Sequence, residues 1–147
     1  MPKDTTEGLE SGALSVRRQF QLPENDTAYI TRLGTPWETL NDNGTLWLLL
    51  NSWTLPLGYN YPQVSLALLI PANYPDSQIV MVNFLPALSR LDGKQIAAIS
   101  TQTIAGETWQ RWSRHRTAAN PWRPTEDDLA SHLSLVDEWL RREFERA

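Results

Sequence analysis

Cysteine is absent from this 147-residue chain, and that one gap closes several chemistries. Disulfides, thiolate-held zinc, iron–sulfur clusters, thiol redox cycling and thioester intermediates all need a sulfur the chain lacks. Histidine is scarce too, with only His115 and His132. A metal site would have to rest mainly on carboxylates, so neither a metal nor any other cofactor is expected. No glycine-rich run leads to a lysine, and neither Gly-x-Ser-x-Gly nor His-Glu-x-x-His occurs. The phosphate loop, the hydrolase elbow and the zinc-protease pair therefore drop out. Long apolar runs are missing as well. Residues 46–50 and 64–70 are the most apolar stretches, strand-length against the ~20 residues of a membrane helix. The first residues carry Lys3, Asp4 and Glu7 ahead of no apolar segment, which is not a secretory signature. A net charge of −4, from 13 basic and 17 acidic residues, disfavours nucleic acid or an anionic membrane as a partner of the whole protein. The expectation is a soluble, cytoplasmic protein.

What remains has an ordinary globular balance, 41% hydrophobic and 20% charged, with seven tryptophans. The length suits a single core. Residues 1–15 are small and polar and read as a flexible tail, which leaves 16–147 as the domain. A short helix is expected after Pro23, with Glu24, Asn25 and Asp26 supplying capping and first-turn carboxylates. Its apolar positions are Tyr29, Ile30 and Leu33, and Gly34 ends it. Strands are expected over 46–53, 63–70 and 78–84. Turn-forming stretches set them apart: Asn41-Asp42-Asn43-Gly44, Leu55 to Asn60, and Pro71 to Asp76. Such spacing predicts an antiparallel meander. Residues 85–108 carry an Asp92-Gly93 turn and otherwise no readable element. A final amphipathic helix shows one stripe, Leu129, Leu133, Val136, Leu140 and Phe144. Thr125 and Asp128 ahead of it form a capping-box pattern with Asp in place of Glu. The fold class is α+β.

Charge is concentrated in one place. Window 108–125 holds four arginines (Arg111, Arg114, Arg116, Arg123) and no carboxylate, interleaved with Trp109, Trp112 and Trp122. Two accounts stand: tryptophans filling the core with arginines stacked over them, or a binding groove. Within this window Ser113 and His115 are two residues apart. In an extended segment their side chains face one side, where an imidazole could take the hydroxyl proton of a serine nucleophile. The nearby arginines could steady an oxyanion. The plain alternative is a solvated histidine beside an ordinary serine. His132, near the apolar stripe of the last helix, reads as a partly buried packing residue. The carboxylate pairs Asp127 and Asp128, and Asp137 and Glu138, have capping and surface roles as their natural reading.

Several blocks together resemble a known family. They are Leu22-Pro23-Glu24-Asn25-Asp26, Trp37-Glu38, Leu55-Pro56-Leu57-Gly58-Tyr59-Asn60, Ile70-Pro71-Ala72-Asn73-Tyr74-Pro75-Asp76, Trp109 to His115, and Pro121-Trp122-Arg123-Pro124. In order, over roughly 20–144, they are similar to the bacterial branch of the ubiquitin-conjugating superfamily called prokaryotic family E. The resemblance implies a ubiquitin-conjugating-like fold: N-terminal helix, four-stranded antiparallel meander, long irregular active-site region and C-terminal helix. In that superfamily the nucleophilic cysteine precedes a Trp-x-Pro motif by eight or nine residues. Trp122-Arg123-Pro124 matches the motif, and nine residues before Trp122 stands Ser113. The supporting His-Pro-Asn motif is missing, for Leu85-Pro86-Ala87 keeps only its proline. The implied function is a conjugating enzyme that takes the C-terminus of a ubiquitin-like modifier from an activating enzyme. Ser113 would carry it as an oxyester and pass it to a target protein. His115 would be the general base, and Arg114, then Arg111, would steady the oxyanion or the modifier's tail. The implied partners are an activating enzyme, a ubiquitin-like modifier and a target. The alternatives are an inactive modifier-binding module, or an adaptor for the activating enzyme working through the first helix.

Overall fold

A computed structural model describes residues 16–145; the tail expected over 1–15 lies outside the described residues. Helix α1 (Glu24–Leu33) is followed by strands β1 (Trp37–Asp42), β2 (Thr45–Thr54), β3 (Gln63–Ile70) and β4 (Val82–Leu85). Then come β5 (Ile99–Ile104), β6 (Glu107–Trp112) and helix α2 (Leu129–Arg142), which tightens into a 3-10 turn over Glu143–Glu145. The six strands form one antiparallel sheet in the order β1-β2-β3-β4-β6-β5. No described helix is long and apolar enough to cross a membrane.

The expected helix, meander and final helix are all present, but the sheet has six strands rather than four. The reason lies in β2, whose Trp47, Leu48, Leu49 and Leu50 are all buried. A strand buried on both faces needs two covers. Leu48 and Leu50 join Leu66, Leu68, Phe84 and Trp112 beneath the helices. Trp47 and Leu49 point the other way and pack with Leu40, Ala67, Leu85, Ile104 and Trp109. The β5–β6 hairpin curls back to build that second core. Its tip reaches the β1–β2 turn, where the Ala105 N–H donates to the Asp42 carboxylate at 3.0 Å. The stretch 85–108, expected to be irregular, thus contains all of β5 and the start of β6. The third expected strand is shorter than 78–84, because Met81 has φ +63° and pairing begins only at Val82.

α1 matches its expected limits and ends at Gly34, φ +76°. Its start differs: no side chain caps it. Asp26 instead turns inward and is 2% exposed. There it accepts the Tyr74 hydroxyl at 2.6 Å and the Leu129 N–H at 3.2 Å. Burial raises its carboxyl pKa, while those two donors pull it back. Leu33, expected on the apolar face, is 41% exposed. α2 begins one turn later than Thr125, capped by Asp128, whose side chain accepts from the Ser131 N–H while the Ser131 hydroxyl answers its own N–H. Ahead of α1, residues 17–20 lie along β1, with Thr39 donating to Arg17 O and accepting from the Gln19 N–H.

Candidate functional site

The blocks that carry the family resemblance meet at the two ends of α2. At its start, Asp26 from α1, Tyr74 from the β3–β4 connection and the Leu129 N–H form one buried cluster. The Trp122 indole donates to Pro75 O at 2.8 Å beside it. At its other end the Tyr59 hydroxyl donates to Leu140 O at 2.6 Å, and its ring lies 4.7 Å from that of Phe144. The Arg90 guanidinium reaches Glu143 O at 2.7 Å. Between these two anchorages runs the segment 113–117, which has no regular structure.

β6 leads into that segment and sets its faces. Gln110 and Trp112 point toward the helices: Gln110 Oε1 accepts from the Trp112 indole at 2.9 Å and from the Leu88 N–H at 3.0 Å. Trp109 and Arg111 point to the outer face, by the period of two along a strand. Ser113 is next in register. Its N–H donates to Ala98 O at 3.0 Å, one step beyond the Ile99–Trp112 pair, so its side chain shares the outer face with Arg111. Ser113 is half-buried, and its hydroxyl makes no hydrogen bond to another described residue. His115 is exposed two residues further on, with no hydrogen bond between them.

The arginines divide. Arg114 points inward, placing one nitrogen 2.9 Å from Ala97 O and 3.2 Å from Ser113 O, and the other 3.0 Å from Glu143 Oε1. Glu143 is 2% exposed and also accepts the Ala97 N–H at 3.1 Å. Glu143 thus ties Arg114, next to Ser113, and Ala97, next to its partner Ala98, to the end of α2. Arg111 lies on the outer face instead, donating from Nε to Ser100 Oγ at 3.1 Å and from Nη1 to Gln102 Oε1 at 3.3 Å. Arg116 stacks 5.0 Å over Trp122 and meets Asp127 at 3.5 Å, as Arg114 stacks 4.8 Å over Trp112. Most of the tryptophan–arginine cluster is therefore core with stacked cations. Of the carboxylate pairs, Asp128 caps α2 and Glu138 pairs with Arg142 at the surface, as expected, whereas Asp137 is half-buried and accepts the Trp53 indole at 3.0 Å, and Asp127 is drawn to Arg116.

Ser113 and Arg111 thus share the outer face, His115 is exposed two residues further along an irregular segment, and Arg114 is drawn away to Glu143. Sequence reasoning passed over Glu143, Ala97 and Met81, all of which hold the Ser113 segment. Only Glu143 offered a signal, a carboxylate directly before the final stripe residue Phe144. His132 was expected to be partly buried; it is fully buried, with its ring 5.5 Å from that of Trp139, edge-on. Burial, reinforced by the nearby Arg116 charge, lowers its pKa to about 4, against a partial counter-pull from its hydrogen bond to Met81. Among the described residues, no group of three or more His, Asp or Glu side chains could hold a metal ion.

No curated protein and no solved structure matches the chain. A protein family does: the sequence profile of prokaryotic E2 family E covers residues 22–143. That span takes in the Asp26–Tyr74–Trp122 junction, the Ser113 segment and the whole of α2. More than four-fifths of the sequence, including the Asp26–Tyr74 junction and the Tyr59–Leu140 and Arg90–Glu143 contacts, lies inside one profile, and the chain belongs to prokaryotic E2 family E.

Proposed function

We propose that this family member takes the C-terminal acyl group of a ubiquitin-like modifier onto Ser113 and passes it to an acceptor. Membership supports conjugation chemistry at the level of the family; the serine is our reading. It rests chiefly on one observation. A half-buried hydroxyl with no hydrogen bond to a described residue stands just past the end of β6, nine residues before Trp122-Arg123-Pro124. In the step, Ser113 Oγ attacks the modifier's terminal carbonyl, held as a thioester on the activating enzyme. The new C–O bond replaces the C–S bond, and the hydroxyl proton passes through His115 to the departing thiolate. A serine needs such a base where a thiolate would not. His115 is free to turn toward Ser113, and catalytic hydrogen bonds commonly tighten only in the reactive complex. Arg111 is the cation on the same face, and its Nη2 has no hydrogen bond to a described residue. It suits the oxyanion or the modifier's tail better than Arg114, whose donors hold backbone carbonyls and the Glu143 carboxylate.

The test mixes the protein with activating enzyme, modifier and ATP. The expected product is an adduct that survives thiol reductant and yields to hydroxylamine. Ser113→Ala should abolish it and His115→Ala should slow it by about 10²-fold or more. An adduct unchanged in Ser113→Ala refutes the reading. A second reading, a modifier-binding module, draws on the missing Ser113–His115 bond. It predicts that the modifier binds with no adduct at all.

A further inference from the structure

We propose that His132 is a positioning residue: through Met81 it fixes the Arg114 carbonyl, and with it the turn of chain that carries Ser113, just past the end of β6. As a statement about catalysis, this rests on the reading of Ser113 as the nucleophile. The link is a chain of two hydrogen bonds. His132 Nε2 lies 3.0 Å from Met81 O, and a carbonyl can only accept, so Nε2 carries the proton. The Met81 N–H in turn donates to Arg114 O at 3.0 Å.

Two features show that this chain is imposed rather than incidental. His132 sits among Leu129, Leu133 and Val136 on the buried stripe of α2, fully buried, with Nδ1 lacking a hydrogen-bond partner among the described residues. An apolar side chain at that position would avoid the cost of burying a half-satisfied imidazole. Met81 has φ +63°, a conformation that costs a non-glycine residue about 1 kcal/mol or more and persists only where its surroundings hold it. That twist lets one residue present its carbonyl to α2 and its N–H to Arg114 O. Met81 directly precedes Val82, which pairs with Trp112, so the bond continues the β4–β6 ladder by one irregular step.

Residues 113 and 114 are thus held from both sides. Toward β5 there is the Ser113 N–H to Ala98 O bond, and toward the end of α2 the Arg114–Glu143 pair. Toward β4, among the described residues, their backbone bonds to Met81. With the His132 donor gone, Met81 is free to relax to an extended conformation, and its N–H leaves Arg114 O. Ser113 would then swing on the β5 side alone, and small misplacements of a reacting group cost large factors in rate.

The side-chain amide nitrogen of glutamine reaches where histidine Nε2 does, while that of asparagine falls short. H132Q, H132N and H132L are therefore compared in single-turnover transfer from the charged activating enzyme. Amide exchange at Met81 is followed in parallel, with Phe84 as the internal reference. H132N and H132L should slow transfer at saturating donor by about tenfold or more, with half-saturation unchanged. H132Q should return to within about threefold of wild type, since its donor is restored. Met81 exchange should accelerate by about tenfold in H132N and not in H132Q, as expected for one lost hydrogen bond. Wild-type transfer by folded H132N, or H132Q as slow as H132N, overturns the proposal. If wild type forms no adduct, the nucleophile reading fails by itself. Met81 exchange still decides the relay: a response confined to H132N and H132L upholds it, and no response overturns it.

Discussion

The buried neutral histidine makes a sharp acid-stability prediction. His132 titrates near 6.5 in the unfolded chain and at about 4 in the folded one, because burial disfavours its charged form. Above pH 6.5 the ring is neutral in both states and contributes no pH dependence. As pH falls from there to about 4, the unfolded chain binds a proton that the folded chain refuses, so stability drops. Each pH step of one is worth about 1.4 kcal/mol, which gives a loss of about 3 kcal/mol over that window. Below it, both states are protonated and the loss stays constant. Other groups titrate near the same range. Glu38, held at about 2 mainly by the Arg17 guanidinium, costs stability only below 4.5. Asp26 and Asp137, raised chiefly by burial, add stability as they protonate in the fold. A comparison of wild type with H132Q removes these shared contributions. Urea unfolding, followed by tryptophan fluorescence at pH 7.5, 6, 5 and about 4, should show H132Q gaining about 3 kcal/mol on wild type as pH falls. In melting experiments the same gain is about 10 °C. A constant offset, or wild type gaining on the variant, would refute the reasoning.

Three further outcomes test the framework around the site. Gly58 has φ +113°, and an added Cβ would lie 2.7 Å from Phe144 Cζ. Gly58→Ala should therefore cost about 2–4 kcal/mol in thermal unfolding, and pairing it with Phe144→Ala should remove the steric part and leave the backbone strain. Tyr74→Phe strips the buried Asp26 carboxylate of its 2.6 Å donor. It should cost about 1–3 kcal/mol in urea unfolding, and a neutral result would mean that the α1–α2 junction does not depend on that bond. Trp47→Ala opens the outer core that the β5–β6 hairpin covers. Its cost should be about 3–5 kcal/mol, with hydrogen exchange rising first in residues 99–112.

The sequence showed α1, β3 and the α2 stripe because periodicity and turn chemistry are local. Gln63–Ile70 is strand as expected, and Leu129 through Leu140 are buried as their spacing implies. The β5–β6 hairpin was hidden for equally local reasons. β5 is Ile-Ser-Thr-Gln-Thr-Ile, without an apolar alternation. Its turn uses Ala105 at φ +49° before Gly106, and alanine is no turn signal. The one clue was indirect: the unbroken apolar run in β2 asked for a cover on both faces. At the site, a pattern of two could place Ser113 and Arg111 on one face, and it runs out at the irregular segment 113–117 that carries His115. It could not show that Arg114 turns to Glu143, a partner 29 residues away, because that contact exists only once α2 packs beneath the sheet.

The two margins of the sheet are unequal. Along β1, the backbone and side chains of residues 17–20 already engage Trp37, Glu38, Thr39 and Asn41. Along β5, no described strand pairs on the side away from β6, and residues 99–104 carry neither charge nor proline, the usual guards of an open edge. Among the described residues, β5 is the margin left open to a strand from another chain. Two copies joined β5 to β5 would turn their β1 margins, engaged by residues 17–20, outward, which favours a closed pair over a filament.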